Sequence, residues 1–399
     1  LTLDLPVVSI SLERLNHVLG TNLSTEDVLQ VFKQLAYPTK EEEGVFHVTV
    51  PAWRFDISIE ADLVEEVGRI YGYDKIPSTL PTTASTQGGL NEKQRFVRWT
   101  RQFMQGAGLS QAYSYALTTP EKSHWFTVEE RPSIRLDLPM SEERSELRQS
   151  MLPSLLEALQ YNVARSQQNV RLFEVGKVFS IGKNGSEDFQ EREVIGAAVT
   201  GEWGHASWQS PAQPVDFFAL KGVLEAYFAE LNCTDRIRFV ATDAIGQLHP
   251  GQTAYIYLGE ELVGFIGKIH PVIQKELDLS DTFVFELLVE PLLAEGLQER
   301  VIQSVPKFPS MTRDIALLVP VTMAHATLEA VIKEQAGQYL QSITLFDVYK
   351  GEHVKEGYQS LAYSIRFLNK EATLQEEEVK QAMDRIQTAL VALEDVTIR

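Results

Sequence analysis

Apolar residues recur at helical spacing in several stretches of the chain, and each stretch carries its own start and stop signals. Val28, Val31, Phe32 and Leu35 form one apolar face. Ser24 opens that helix, and Asp27 three residues on completes an approximate capping box. Ser11 caps a shorter helix through Leu19, which Gly20 closes. A third face, Ile59, Leu63, Val67 and Ile70, predicts a helix over about 57–71 with Gly72 at its end. Between these helices, residues 46–50 alternate apolar and polar and read as a strand that Pro51 stops.

Residues 76–89 are rich in Pro, Ser, Thr and Gly and read as a linker. Beyond them, 91–105, 151–160 and 220–231 carry helical patterns, while 170–173, 194–199, 254–258, 263–269 and 282–289 read as strands. Strands dominate the second half of this region, which predicts an α+β module built on a mostly antiparallel sheet. The last part is more regular. A strand over 314–319, a helix over 325–336, strands over 342–349 and 360–367, a helix opened by a capping box at Thr373–Glu376 and running to about 390, and a short strand over 396–399 give the order β-α-β-β-α-β. That order is the ferredoxin-like split motif. The expected division is therefore a small helical, winged-helix-like domain over 1–80, an antiparallel-sheet module over 90–295 and a ferredoxin-like domain over 304–399.

Composition adds limits. With 44% hydrophobic and 23% charged residues, the chain is of the ordinary globular kind. No apolar run approaches the ~20 residues that cross a bilayer. No leader pattern is visible at Leu1, and a start at Leu rather than Met leads us to expect further domains before it. The single cysteine, Cys233, excludes an internal disulfide and a multi-cysteine zinc site, and suits a reducing cytoplasm. Its neighbours supply no base that would make it a nucleophile. A formal charge of −19 gives no overall attraction for nucleic acid, so any RNA contact must be local or supplied by a partner.

The third helix carries the densest chemistry. Asp62, Glu65 and Glu66 lie three and four residues apart on one helix flank, and Asp56 sits near the helix start, so four carboxylates can converge. Crowded carboxylates repel, and a hard cation such as Mg²⁺ relieves that. The plainer explanation is a solvated acidic face, with Glu65 paired to Arg69 and Asp56 as N-cap.

The stretch Trp53-Arg54-Phe55-Asp56-Ile57, Asp62-Leu63-Val64-Glu65-Glu66 and Tyr71-Gly72-Tyr73-Asp74 closely resembles a domain of the bacterial phenylalanyl-tRNA synthetase β subunit. The similarity continues through Ser145-Glu146-Leu147-Arg148, Leu172-Phe173-Glu174-Val175-Gly176, Gly267-Lys268-Ile269-His270-Pro271 and Lys307-Phe308-Pro309, and covers essentially the whole chain. Each short motif is weak alone, but their order and spacing are specific. The resemblance implies Mg²⁺ at Asp56, Asp62, Glu65 and Glu66 in a site shared with an α subunit. It also implies a catalytic-like middle module of class II synthetase type and an anticodon-binding ferredoxin-like end. The implied assembly is two α and two β chains that attach phenylalanine to its tRNA with ATP.

Class II chemistry needs an arginine in a Phe-Arg-x-Glu strand to grip the nucleotide. Here the comparable strand reads Arg171-Leu172-Phe173-Glu174, with the arginine out of register and so on the opposite face. We therefore expect a degenerate, non-catalytic module that supports the α subunit. His249 and His270, each followed by proline, suit loop or sheet-edge positions, since two histidines without a third ligand make a poor metal site. In the terminal domain, ten Lys/Arg face thirteen Asp/Glu, so charge gives little guidance. Arg313 and Lys350, then Lys307, Arg366 and Lys370, are the expected tRNA contacts, with Phe308 and Tyr349 available to stack on a base. Two rival readings are a stand-alone RNA-binding or scaffold protein, and a Mg²⁺-dependent hydrolase, for which no base or nucleophile stands beside the carboxylates. Nothing in the chain matches a proofreading domain.

Overall fold

The computed structural model describes residues 4–82, 87–185, 188–296, 304–351 and 354–399. The chain divides into two compact units, Leu1–Leu90 and Asn91–Arg399.

The first unit builds a core from three helices and a small sheet. Ser11 caps the helix Leu12–Leu19, and Gly20 ends it in the left-handed conformation (φ 68) that only glycine adopts freely. Ser24 and Asp27 form the expected capping box of Thr25–Gln34. Two strands join the expected one: Val7–Ser11 and Thr39–Glu42 flank Val45–Thr49 in an antiparallel sheet. Phe32, Phe46, Val48, Leu63 and Val67 close the core between them. The acidic helix is shorter than expected, Glu60–Tyr71, and its N-cap is Ile59, not Asp56.

The second unit contains a seven-stranded sheet. Its order is Ile237–Ala241, Leu248–Leu258, Glu261–Ile269, Thr282–Leu288, Phe189–Thr200, Val170–Ile181 and Ser110–Gln111. All neighbours are antiparallel except the last, which runs parallel. The helices Glu92–Gly106 and Phe217–Glu230 cover one face through Phe96, Met104, Leu224 and Tyr227 against Phe173, Ile195 and Phe285. Leu152–Val163 covers the other through Met151, Leu155 and Leu159 against Val178, Val194 and Val284. One glycine of this sheet is sterically obligatory. A Cβ on Gly264 would stand 2.1 Å from the backbone oxygen of Glu286 on the adjoining strand.

The terminal part follows the expected β-α-β-β-α-β order: Met311–Pro320, His325–Ala336, Leu340–Tyr349, Tyr358–Phe367, Glu376–Val391 and Thr397–Ile398. The sheet order is second, third, first, fourth, all antiparallel. Both helices pack on one face, where Leu317, Ile332, Tyr363, Ile365 and Ile386 are fully buried. The last helix starts two residues beyond the Thr373 box, with Gln375 at its N-cap donating its N–H to Glu378 Oε2.

Candidate functional site

The acidic cluster is organised by an arginine. The backbone turns from Pro51 to Arg54, where the Arg54 N–H donates to the Pro51 carbonyl, and this sets the guanidinium against the helix. Arg54 Nη2 lies 2.6 Å from Asp56 Oδ2, and Nη1 lies 2.9 Å from Glu66 Oε2. Arg69 Nη2 adds a second cation at 2.8 Å from Glu66 Oε2, and the Tyr37 hydroxyl donates to that oxygen at 3.0 Å. Arg54 also donates to the Tyr37 oxygen. Glu66 is 3% exposed, yet the hydrogen bonds from Arg54 outweigh desolvation and hold its carboxyl down at about 2. Arg54 draws Asp56 down to about 2 as well. Burial, with Glu66 beside it, pushes the Tyr37 phenol up to about 12.

Asp62 serves the backbone. Its Oδ2 accepts the N–H groups of Ser58 at 2.7 Å and Ile59 at 2.9 Å, satisfying amides left open at the helix start and lowering its pKa. Glu65 is exposed and has no hydrogen bond or ion pair among the described residues. Arg69 pairs with Glu66 three residues back rather than with Glu65, because Glu66 is the carboxylate already turned toward Arg54. Among the described residues, no group of three or more Asp, Glu, His or Cys is arranged to hold a metal ion. The four carboxylates thus do not fit a four-ligand cage: two are neutralised by arginine, one is a cap, and one is open. Sequence reasoning missed Arg54 and Tyr37. Arg54 stood two residues before Asp56 as a visible signal, whereas Tyr37 is 29 residues from its acceptor.

In the second unit, the Glu174 carboxylate is locked. Arg148 Nη2 lies 3.1 Å from Glu174 Oε1 with both side chains buried, Ser114 Oγ donates to Glu174 Oε2 at 2.5 Å, and Arg148 further binds the Lys177 carbonyl at 3.0 Å. Arg171 lies on the opposite face, donating to the Trp203 carbonyl at 2.7 Å and stacking over its ring. His249 Nδ1 accepts the Gly251 N–H, and His270 caps Pro271–Glu276 through Val272 N–H, so both histidines close turns. Burial pushes the Cys233 thiol up to about 11, the opposite of activation.

The five expected tRNA contacts do not share one surface. Arg313 alternates with the buried Ile315 and Leu317, so it lies on the helix-covered face and pairs there with Glu376. Arg366 stands opposite Thr312 on the open face and donates to Ser310 Oγ at 2.8 Å. Lys307 and Lys370 are exposed beside the same end of the sheet. Lys350 follows Tyr349, which pairs with Ser360. Arg366 is six positions beyond Ser360, so Lys350 is ~20 Å away along the strand. Phe308 is half-buried, and Tyr349 is partly exposed on the open face.

Comparison with known proteins orders these regions. Residues 8–73 match the tRNA synthetase B5 domain, 76–289 the phenylalanyl tRNA synthetase beta chain CLM domain, and 306–399 the ferredoxin-fold anticodon binding domain. The phenylalanine–tRNA ligase beta subunit of Bacillus subtilis (strain 168) is 46% identical over 395 residues, covering 99% of this chain and 48% of that protein. The same subunit of Lactiplantibacillus plantarum is 44% identical over 385 residues, covering 96% of this chain and 48% of that protein. The chain therefore spans about half the length of the curated relatives it matches. A solved structure, pyrrolysyl-tRNA synthetase from Desulfitobacterium hafniense, aligns with TM-score 0.39 at 13% identity over 50% of this chain and 68% of its own, too slight a likeness to carry weight. The run of three domain matches, the middle one spanning more than half the chain, places this protein in the phenylalanyl-tRNA synthetase β-chain family.

Proposed function

We propose that this chain is the β-subunit portion of a phenylalanine–tRNA ligase of the cytoplasm. It would hold a catalytic α subunit and orient the tRNA for phenylalanine, while α consumes ATP. Two α and two β chains form the proposed assembly. The carrying observation is the ordered series of three domain matches, over residues 8–73, 76–289 and 306–399. The proposed parts are a winged-helix-like domain over 1–80, a non-catalytic synthetase-like module over 90–295 and an anticodon-binding domain over 304–399. A supporting role for the middle module agrees with the use of Glu174 as a structural partner of Arg148 and the placement of Arg171 on the far face. No described helix is long and apolar enough to cross a membrane.

For tRNA, Lys307, Arg366 and Lys370 form the favoured contact patch because they gather at one end of the open sheet, and Lys350 is a separate contact. Arg313, paired with Glu376, is the weakest of the five. For Mg²⁺, the family assignment is Asp56, Asp62, Glu65 and Glu66. Glu65 and the second oxygen of Asp62 are the donors left open, three residues apart on the helix. Mg²⁺ that keeps most of its waters takes one or two carboxylates, so these two suit it while Asp56 and Glu66 stay with their arginines.

Co-expression with the α chain of the same source tests the proposal. The expected result is a stable complex that charges tRNA with phenylalanine, and a chain that alone shows no ATP–pyrophosphate exchange. Titrating that complex with Mg²⁺ should give binding that Asp62→Ala with Glu65→Ala removes. Failure to form a complex, with RNA binding intact, would favour the stand-alone RNA-binding reading.

A further inference from the structure

The chain holds eight asparagines, and hydrogen bonding separates one of them from the rest. Asn16 accepts from the Thr21 hydroxyl and the Leu23 N–H, and Asn91 caps its helix. Asn162 donates to the Ala158 carbonyl, Asn169 accepts the Glu202 N–H, and Asn369 accepts the Glu371 N–H. Asn22 and Asn232 leave their side-chain amides open among the described residues, but the N–H groups that follow them are taken. Leu23 donates to Asn16 Oδ1, and Cys233 to the Phe228 carbonyl. Only at Asn184, among the described residues, are both the side-chain amide and the next N–H, that of Gly185, without a hydrogen bond.

Asn184 lies in the turn between the long paired strands Val170–Ile181 and Phe189–Thr200. Lys183, Asn184 and Gly185 are all exposed. The turn is pinned from Asp188. Its carbonyl accepts the Gly182 N–H at 2.6 Å, and its N–H donates to the Gly185 carbonyl at 3.1 Å. Its Oδ2 accepts the Asn184 N–H at 3.2 Å. These bonds hold the backbone around the Asn184 amide carbon and the Gly185 nitrogen but occupy neither. Gly185 has φ +117, and a Cβ there would meet nothing within 4 Å, so no side chain shields its nitrogen.

The Gly185 nitrogen and the Asn184 Cγ can close a five-membered ring through the atoms between them, an intramolecular attack favoured by proximity. We propose that Asn184–Gly185 is a self-modification site, where the chain converts its own amide into a carboxylate with water as the only co-reactant. The Gly185 nitrogen, having given its proton to a solvent base, bonds to Asn184 Cγ, and the side-chain nitrogen leaves as ammonia. Water then adds to either carbonyl of the cyclic imide and breaks its bond to the shared nitrogen. Opening at Cγ yields aspartate. Opening at the backbone carbonyl yields isoaspartate, in which the main chain runs through the former side chain. Either product adds a negative charge in the turn that holds the Asp188 carboxylate, and like charges at close range repel. Isoaspartate also lengthens the main chain by a methylene, which loosens the Ile181–Phe189 end of the strand pair. None of these residues carries a part in the proposed ligase role.

Peptide mass analysis of the purified chain, sampled during long incubation at neutral and at weakly alkaline pH, tests the proposal. The peptide carrying residue 184 should take on the mass of aspartate about tenfold or more faster than any other asparagine peptide, since no other site frees both reacting groups. It should elute as two species, aspartate and isoaspartate, each carrying heavy oxygen when the water does. The change should quicken as pH rises, because the attacking nitrogen must lose its proton. Asn184→Gln, which would have to close a larger ring, should slow conversion at 184 by a similar factor. Isoaspartate and heavy-oxygen uptake are read in the unaltered chain, so they stand even where that variant disturbs the turn. Conversion of another asparagine ahead of 184, aspartate at 184 without isoaspartate, or asparagine kept at 184 throughout the incubation would each overturn the assignment.

Discussion

Glu66 in the first unit and Glu286 in the second are both more than nine-tenths buried, yet they are held in opposite ways. Glu66 meets two guanidinium groups and a phenol, and its carboxyl falls to about 2. Glu286 meets a hydroxyl and an amide, and its carboxyl rises to about 7. Burial raises both pKa values, and the charge of the partner decides the direction of the sum. The acidic helix is therefore neutralised by the chain's own arginines, while the seven-stranded sheet holds a carboxylate with no arginine bonded to it.

Three experiments would break or sharpen this contrast. The largest effect is expected from Arg148→Ala. It would leave the Glu174 carboxylate without its cation and with only the Ser114 hydroxyl, and breaking a fully buried pair costs about 4 kcal/mol. Hydrogen exchange across the Val170–Ile181 strand should register the loss, and unchanged protection there would show that the pair does not stabilise the sheet.

Arg54→Ala ranks second. Glu66 would keep Arg69 and Tyr37, so the expected cost to the first unit is about 2 kcal/mol, read from hydrogen exchange over the acidic helix. The pH dependence has a definite sign. The Glu66 carboxyl is lowered in the folded unit, so its contribution is complete above about 4.5, the ordinary value for a glutamate, and is lost as pH falls toward about 2. In Arg54→Ala this acid-side loss should shrink.

The smallest effect is expected from Glu286→Gln, and its slope runs the other way. Because the folded carboxyl is raised, the folded state is favoured below about 4.5 and loses stability as pH rises through about 7. The glutamine variant should abolish that decline, a difference on the order of 1–2 kcal/mol between weakly acidic and weakly alkaline solution. An unaltered pH profile would mean that Glu286 does not titrate differently in the folded chain.

Much of the architecture was legible in the chain because its signals are local. Ser11, Ser24 and Asn91 sit one residue before the helices they cap, and short apolar runs marked the central strands, which are buried on both faces. Thr39–Glu42 escaped because a polar edge strand, Thr-Lys-Glu-Glu, has no buried face to leave a period-two trace. The four acids near residue 60 were found as a group, but their individual duties were not. Asp62 rather than Asp56 completes the helix start, and Arg69 selects Glu66 over Glu65. The Glu286 environment left no local trace at all, since Ser150 lies 136 residues away.

Gly264 carries a consequence for how this chain can diversify. Its missing methyl group is what lets the backbone of Glu286 run alongside, and no alternative residue supplies that space. Inheritance at position 264 is thereby tied to the strand beside it. A saturation library should return glycine alone there, and Val178 and Val194, packed in the core on that face of the sheet, should tolerate little change in size.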